Sequence, residues 1–185
     1  DVLIMNTSAR YWEIWRIDPS EEKLGYKRVS VDTAQNFVNS QFAGIENTAL
    51  QNSLLSAFNG ENPDIDLFNR ALAGLCLRCY VSEAIMKECK KIDYLYSGEK
   101  QFNYRDLLPF VLNDDGQNLI ILDRDGRRQL TVDENNQLNQ SRYDCFAIKV
   151  LQTFNADSQS GMSLNNWAHL KTRQNYEIKK FLSEI

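Results

Sequence analysis

The side chains with the most chemistry in them are few: four cysteines, one histidine and a scatter of acidic pairs. Cys76 and Cys79 form a CxxC. A zinc site would need two more ligands at close spacing, and only Cys89, Cys145 and His169 are on offer, with no second close pair. A redox motif would need a strand-to-helix turn, whereas Cys76, Cys79 and Cys89 sit in an apolar helical repeat. Read that way they are reduced core thiols, the form expected in the cytoplasm. Asp123, Asp125 and Gly126 sketch a calcium loop. With Gly126 in sixth place, however, the first and twelfth ligands fall on Ile121 and Val132, both apolar. An Asp-Gly hairpin turn fits better. Any Ser-His-Asp or Cys-His mechanism would run through His169. Asp114, Asp115 and Asp144 are the carboxylates available as an acid–base pair. No nucleophile elbow and no phosphate-cradling glycine loop occurs. The expectation is a non-enzyme without cofactor or metal.

The stretch from Tyr143 to Asn175 says more. An amphipathic run with Phe146, Ile148, Val150 and Leu151 ends on Phe154-Asn155, and a polar loop closes with Gly161. Ser163 then caps a helix carrying Trp167, His169, Lys171 and Arg173, with Asn175 just beyond. From Ser163 to Asn175 there are two basic residues, one histidine and no acid. An indole followed by cations and amides can stack an unpaired base while the cations track phosphates. The same residue types also suit Trp167 as a core anchor, with Lys171 and Arg173 as a solvated face.

The elements that must position these groups are mostly helical. Val2 to Ile17 is apolar and aromatic, with Tyr11, Trp12 and Trp15, and suits either a strand pair or a short helix. Those aromatics are candidates for satellite core packing or for anchoring a partner. Asp32 offers a cap for a short helix through Asn39, and Asn47 or Thr48 for a second that ends at Asn59-Gly60. Asn62-Pro63-Asp64 opens the longest periodic segment, in which Phe68, Leu72, Leu75, Cys76, Cys79, Met86, Cys89 and Ile92 recur at helical spacing. It is one long helix or two joined near Val81-Ser82, and Ser97-Gly98 ends it. Tyr104 to Leu112 is a further helix, kinked or begun at Pro109. Leu119 to Leu122 and Gln129 to Val132 flank the Asp-Gly turn as a hairpin, and Asp133 to Gln140 reads as an exposed loop. Helix resumes at Ser141, and Ser163 begins a last helical pair. The fold class expected is mainly α, a multi-helix orthogonal bundle with one small β-hairpin. Its segments are 1–112, 113–140 and 141–185, which are compatible with one continuous domain.

Composition is that of an ordinary globular chain: 185 residues, 43% hydrophobic and 25% charged, with three prolines. Lys plus Arg total 21 against 25 Asp plus Glu, for a net charge of −4. Whole-molecule attraction to DNA or to an anionic membrane is therefore not expected, and nucleic-acid contact must be local. No apolar run reaches the length of a membrane span, and without a signal peptide the sequons at Asn6 and Asn139 carry no weight.

The 143–175 arrangement resembles region two of the sigma-seventy family of transcription initiation factors. The matching positions are Phe154, Asn155, Gly161, Ser163, Trp167, Arg173, Gln174 and Asn175. The wider chain looks like the sigma-like proteins that cyanobacteria carry in several copies. The segments concerned are Ala73-Gly74-Leu75-Cys76-Leu77-Arg78-Cys79-Tyr80, Asp106-Leu107-Leu108-Pro109-Phe110-Val111-Leu112 and Ser163-Leu164-Asn165-Asn166-Trp167. The resemblance implies that the first helix docks on the RNA polymerase core and the second meets promoter DNA. Carried over position by position, it makes Tyr143, Asp144, Lys149 and Gln152 polymerase contacts. Trp167, His169, Lys171, Arg173 and Asn175 become the DNA-facing set. It also implies that the chain is the N-terminal part of a longer factor.

Overall fold

The computed structural model describes residues 8–96, 98, 101–141, 144–154 and 161–185. It is mainly helical, but it holds two sheets where one hairpin is expected. The first is β1 (Glu13–Ile17) paired antiparallel with β2 (Tyr26–Ser30), with Ile14 opposite Val29. Of the aromatic opening stretch, Glu13–Ile17 resolves as a strand, residues 8–12 with Tyr11 and Trp12 form the turn that leads into it, and residues 2–7 lie outside the described residues. Ile14 is buried against the interior, and the Trp15 N–H donates to Ser82 Oγ at 2.9 Å. The loop between the strands starts at Asp18, whose Oδ1 accepts the Ser20 N–H at 3.0 Å. It ends at Gly25, with φ of +75°, where a Cβ would come 2.7 Å from the Arg105 side chain.

Helices α1 (Asp32–Gln41) and α2 (Asn47–Phe58) follow. Neither has the side-chain cap the sequence suggests: Val31 and Glu46 hold the cap positions without a side-chain hydrogen bond. Asn47 Oδ1 instead accepts the Tyr11 hydroxyl at 2.8 Å, which fixes the N-terminal segment onto α2. Helix α3 (Leu67–Leu95) is unbroken through Val81-Ser82, about 43 Å long at 1.5 Å per residue. Its cap is Asp66, which accepts the Asn69 N–H at 2.9 Å; the upstream Asn62 makes its own turn with the Asp64 N–H. From Ala71 to Met86 almost every residue is buried, so α3 is the central post against which the other elements pack. No helix among the described residues is long and apolar enough to cross a membrane.

Helix α4 (Tyr104–Val111) includes Pro109 rather than starting there. Asn103 and Asp106 cap it reciprocally, which sets its first turn ahead of the proline. A meander follows: β3 (Ile120–Leu122), β4 (Gln129–Val132) and β5 (Leu138–Gln140), in that spatial order. The Asp-Gly turn between β3 and β4 is as read, with Gly126 at φ of +69°. The stretch read as an exposed loop holds a third strand. All three β5 residues are exposed, so no alternation marks them, yet the free edge of β4 takes their backbone as partner. Helix α5 (Phe146–Thr153) begins five residues later than Ser141, because the buried Gln129 amide grips both backbone groups of Cys145, at 2.8 and 3.1 Å. Helices α6 (Leu164–Arg173) and α7 (Tyr176–Ser183) close the chain, capped by Ser163 and Asn175. One cluster of buried side chains runs through Tyr11, Phe58, Leu108, Ile148 and Ile178. A smaller cluster of Ala71, Ile121 and Val132 joins α3 to the meander.

Candidate functional site

Helix α6 packs along α3 and sorts its residues into rows four apart. Leu164, Ala168 and Thr172 form the buried row. Asn165, His169 and Arg173 form a polar row beside it, and all three are occupied. Asn165 Oδ1 accepts from Arg10 at 2.8 Å. His169 Nδ1 lies 2.8 Å, and Arg173 NH1 3.1 Å, from the same oxygen, Oε1 of Glu88. Glu88 is wholly buried on α3, and its Oε2 has no hydrogen-bond partner among the described residues. The third row holds Trp167 and Lys171. The indole is half-buried, its Nε1–H donating to Thr153 Oγ1 at 3.1 Å, and Phe154 lies 6.3 Å from it between ring centroids. Lys171 Nζ stands 5.2 Å from the Trp167 centroid, a cation–π contact, and it has no carboxylate partner among the described residues.

The DNA-facing set is therefore divided. Trp167 and Lys171 form one unit. His169 and Arg173 are held by Glu88, and the Asn175 side chain accepts the Ile178 N–H at 3.0 Å as the cap of α7. The polymerase set is divided as well. Tyr143 lies outside the described residues. Asp144 and Lys149 form an exposed pair at 3.7 Å. Gln152 turns inward across the β3–β4 turn and donates to Gly126 O at 2.6 Å and Arg127 O at 3.3 Å. Glu88 is the site residue the sequence reading missed. Its one signal is an acid inside an apolar helical repeat, next to Cys89.

The other constellations resolve into structural roles. Asp114 is consumed by Arg78, Asp115 accepts the Gln117 N–H at 2.9 Å, and Asp144 faces solvent. Asp123 Oδ1 accepts the Arg127 N–H at 2.8 Å and so closes the hairpin turn. Among the described residues, no group of three His, Cys, Asp or Glu side chains is placed to hold a metal ion. All four cysteines are buried free thiols. Burial pushes the thiols of Cys76, Cys89 and Cys145 up to about 12, and it raises Cys79 as well. A neutral, enclosed thiol is a poor nucleophile. The native protein at pH 8 should thus react with a chromogenic disulfide only on the timescale of unfolding, and all four thiols should be released by denaturant. Rapid native labelling of even one would contradict this burial.

No family model, no curated protein and no solved structure matches this chain.

Proposed function

We propose that the chain is a non-catalytic module of transcription initiation that docks on RNA polymerase and offers Trp167 and Lys171 to promoter DNA. The Trp167–Lys171 unit supports this reading most. The indole is fixed at its N–H by Thr153 yet keeps part of its surface in water, and the nearest ammonium is not spent on a carboxylate. An unpaired base can stack on such a ring while a phosphate meets the lysine. The docking half rests on the resemblance of α5 to a clamp-binding helix and on its exposed Asp144–Lys149 edge. DNA contact on this reading is narrower than the residue types suggest, because His169 and Arg173 serve Glu88.

The test is anisotropy of a labelled single-stranded oligonucleotide over a salt series. Lys171→Gln should weaken binding at low salt and reduce the slope of log K against log salt by about 0.7, the value for one phosphate contact on a single strand. Trp167→Leu should cost about 1–3 kcal/mol of binding, the worth of one stacked base. Wild-type protein that fails to bind at low salt, or a Lys171→Gln variant with an unchanged slope, would remove the nucleic-acid half.

A second reading, a protein-interaction module with no nucleic-acid role, is favoured by one observation. Tyr94, Leu95 and Tyr96 stand exposed together at the C-terminal end of α3, at 78%, 64% and 49%. Tyrosines in such a cluster are frequent anchors of protein interfaces. Polymerase subunits in a pull-down would support the first reading, and an unrelated partner the second.

A further inference from the structure

Among the described residues, Arg70 is a cation without an anion. It sits one turn into α3, with its guanidinium laid over Gly60, where a Cβ would come 2.9 Å from the guanidinium carbon. Gly60 has φ of +73°, so glycine is favoured there twice over, for the backbone and for the space. Among the described residues the guanidinium uses one of its five N–H donors, in a long 3.3 Å bond to Phe58 O, and its buried Nε has no partner. No carboxylate lies within ion-pair distance among the described residues. Burial accordingly pushes this guanidinium down from its ordinary value, with no acid to offset it. The nearby acids are already engaged: Asp66 caps α3, and Asp123 takes the Arg127 N–H and faces Arg128 at 3.6 Å.

Arg70 lines a pocket of about 530 Å³ between the end of α2, the start of α3 and the meander. Leu67, Ile121, Leu130 and Leu138 supply apolar wall, and Leu138 is 44% exposed. A second arginine, Arg124, lines it from the β3–β4 turn and has no ion-pair partner among the described residues. That turn is not loosely hung, since Gln152 of α5 holds its Gly126 and Arg127 carbonyls. Asp123 also lines it, with its carboxylate turned to Arg128 and the Arg127 N–H. The volume is in the range of small-molecule sites, and two unspent guanidiniums beside aliphatic side chains define what would fit.

We infer that this pocket is a binding site for a small organic anion, a carboxylate or phosphate monoester with a short apolar body. The anionic oxygens pair with Arg70 and Arg124, and the apolar body lies against Leu67, Ile121, Leu130 and Leu138. The site is remote in sequence from Trp167 and independent of the nucleic-acid reading.

Titration calorimetry with octanoate, octyl phosphate, octanol and inorganic phosphate tests it on the full chain. At least one of the two amphiphilic anions should bind and raise the melting temperature, and the preferred one identifies the headgroup. Octanol and inorganic phosphate, each with half of the chemistry, should bind at least about tenfold more weakly. Arg70→Gln should weaken the preferred anion at least about tenfold. Arg124→Gln removes an exposed side chain with no ion-pair partner among the described residues, so it should weaken binding without lowering the melting temperature of the free protein. It therefore keeps the test decisive if Arg70→Gln folds poorly. Absence of binding by both octyl anions, octanol binding as tightly as octanoate, or an Arg124→Gln variant with wild-type affinity would each overturn the site.

Discussion

Replacing Asp114 with alanine is expected to lower the unfolding free energy by about 3–5 kcal/mol, the usual cost of breaking a fully buried ion pair from one side. Arg78 is wholly inaccessible, and Asp114 is 5% exposed. The guanidinium grips the carboxylate with two hydrogen bonds of 2.7 Å and gives a third, of 2.6 Å, to Asn118 O. Asp114 Oδ1 also accepts the Gly116 N–H at 2.9 Å, where φ is +73°. This knot ties the middle of α3 to the loop that enters the meander, and Cys145, at the start of α5, lies beside it. Without Asp114 a positive charge is left in the interior with one carbonyl for company. The paired change Arg78→Met with Asp114→Asn should recover part of the loss, because no charge then stays buried. Urea unfolding followed by tryptophan fluorescence measures both. Equal losses in the single and paired variants would mean that the pair contributes shape rather than charge balance.

The same pair has a pH signature. Burial alone would raise the Asp114 pKa, but the adjacent guanidinium and the Gly116 N–H override it and leave the carboxyl below its ordinary value. A carboxyl depressed by folding adds stability above its unfolded pKa of about 3.9, and that contribution drains away as pH falls through the folded value. The gap between wild type and Asp114→Ala should therefore be full at pH 7 and should shrink only below about pH 4.

The helices that carry the core were readable because their apolar spacing reports a local property. Leu72, Leu75, Cys76 and Cys79 repeat at helical intervals whatever lies opposite, and the Ser163 hydroxyl caps α6 by accepting the N–H of Asn166, three residues on. The pairings that span distance were not readable. β1 finds its partner in Tyr26–Ser30, where Lys27, Arg28 and Ser30 point to water and blur the strand pattern. β5 exposes every side chain and is a strand only because β4 needs one. Asx residues mislead for a related reason. Asn62, Asp64 and Asp66 all precede α3, and only geometry decides which one turns the chain and which caps it. The site divides along the same line. That Trp167 and Lys171 share a row follows from four-residue spacing. That the polar row on the other flank of the buried one is occupied depends on Glu88, 81 residues before His169. An isolated charge within an apolar repeat, at Arg78 and again at Glu88, marks a missing partner in each case without naming it.

Removing Arg173 is expected to cost stability, not nucleic-acid affinity. Its guanidinium supplies one of the two hydrogen bonds that the described residues make to a wholly buried carboxylate, the other being with His169. Arg173→Ala leaves Glu88 with a single partner, at a cost of about 1–2 kcal/mol, below the upper range for charged hydrogen bonds because Arg173 is 42% exposed. Lys171, on the opposite flank of the helix, has no such duty, so Lys171→Gln should leave the urea midpoint where it was. Each substitution removes one positive charge from the same helix, and the two charges differ in what they touch. If oligonucleotide binding runs through the Trp167 row, Lys171→Gln lowers affinity at constant stability, and Arg173→Ala lowers stability at nearly constant affinity. Glu88→Gln completes the comparison: it keeps the side-chain volume, releases Arg173 from its counter-charge, and should raise oligonucleotide affinity at low salt. An Arg173→Ala variant with unchanged stability and lost affinity would place that guanidinium on the phosphates instead, and Glu88 would then be no more than a passive neighbour.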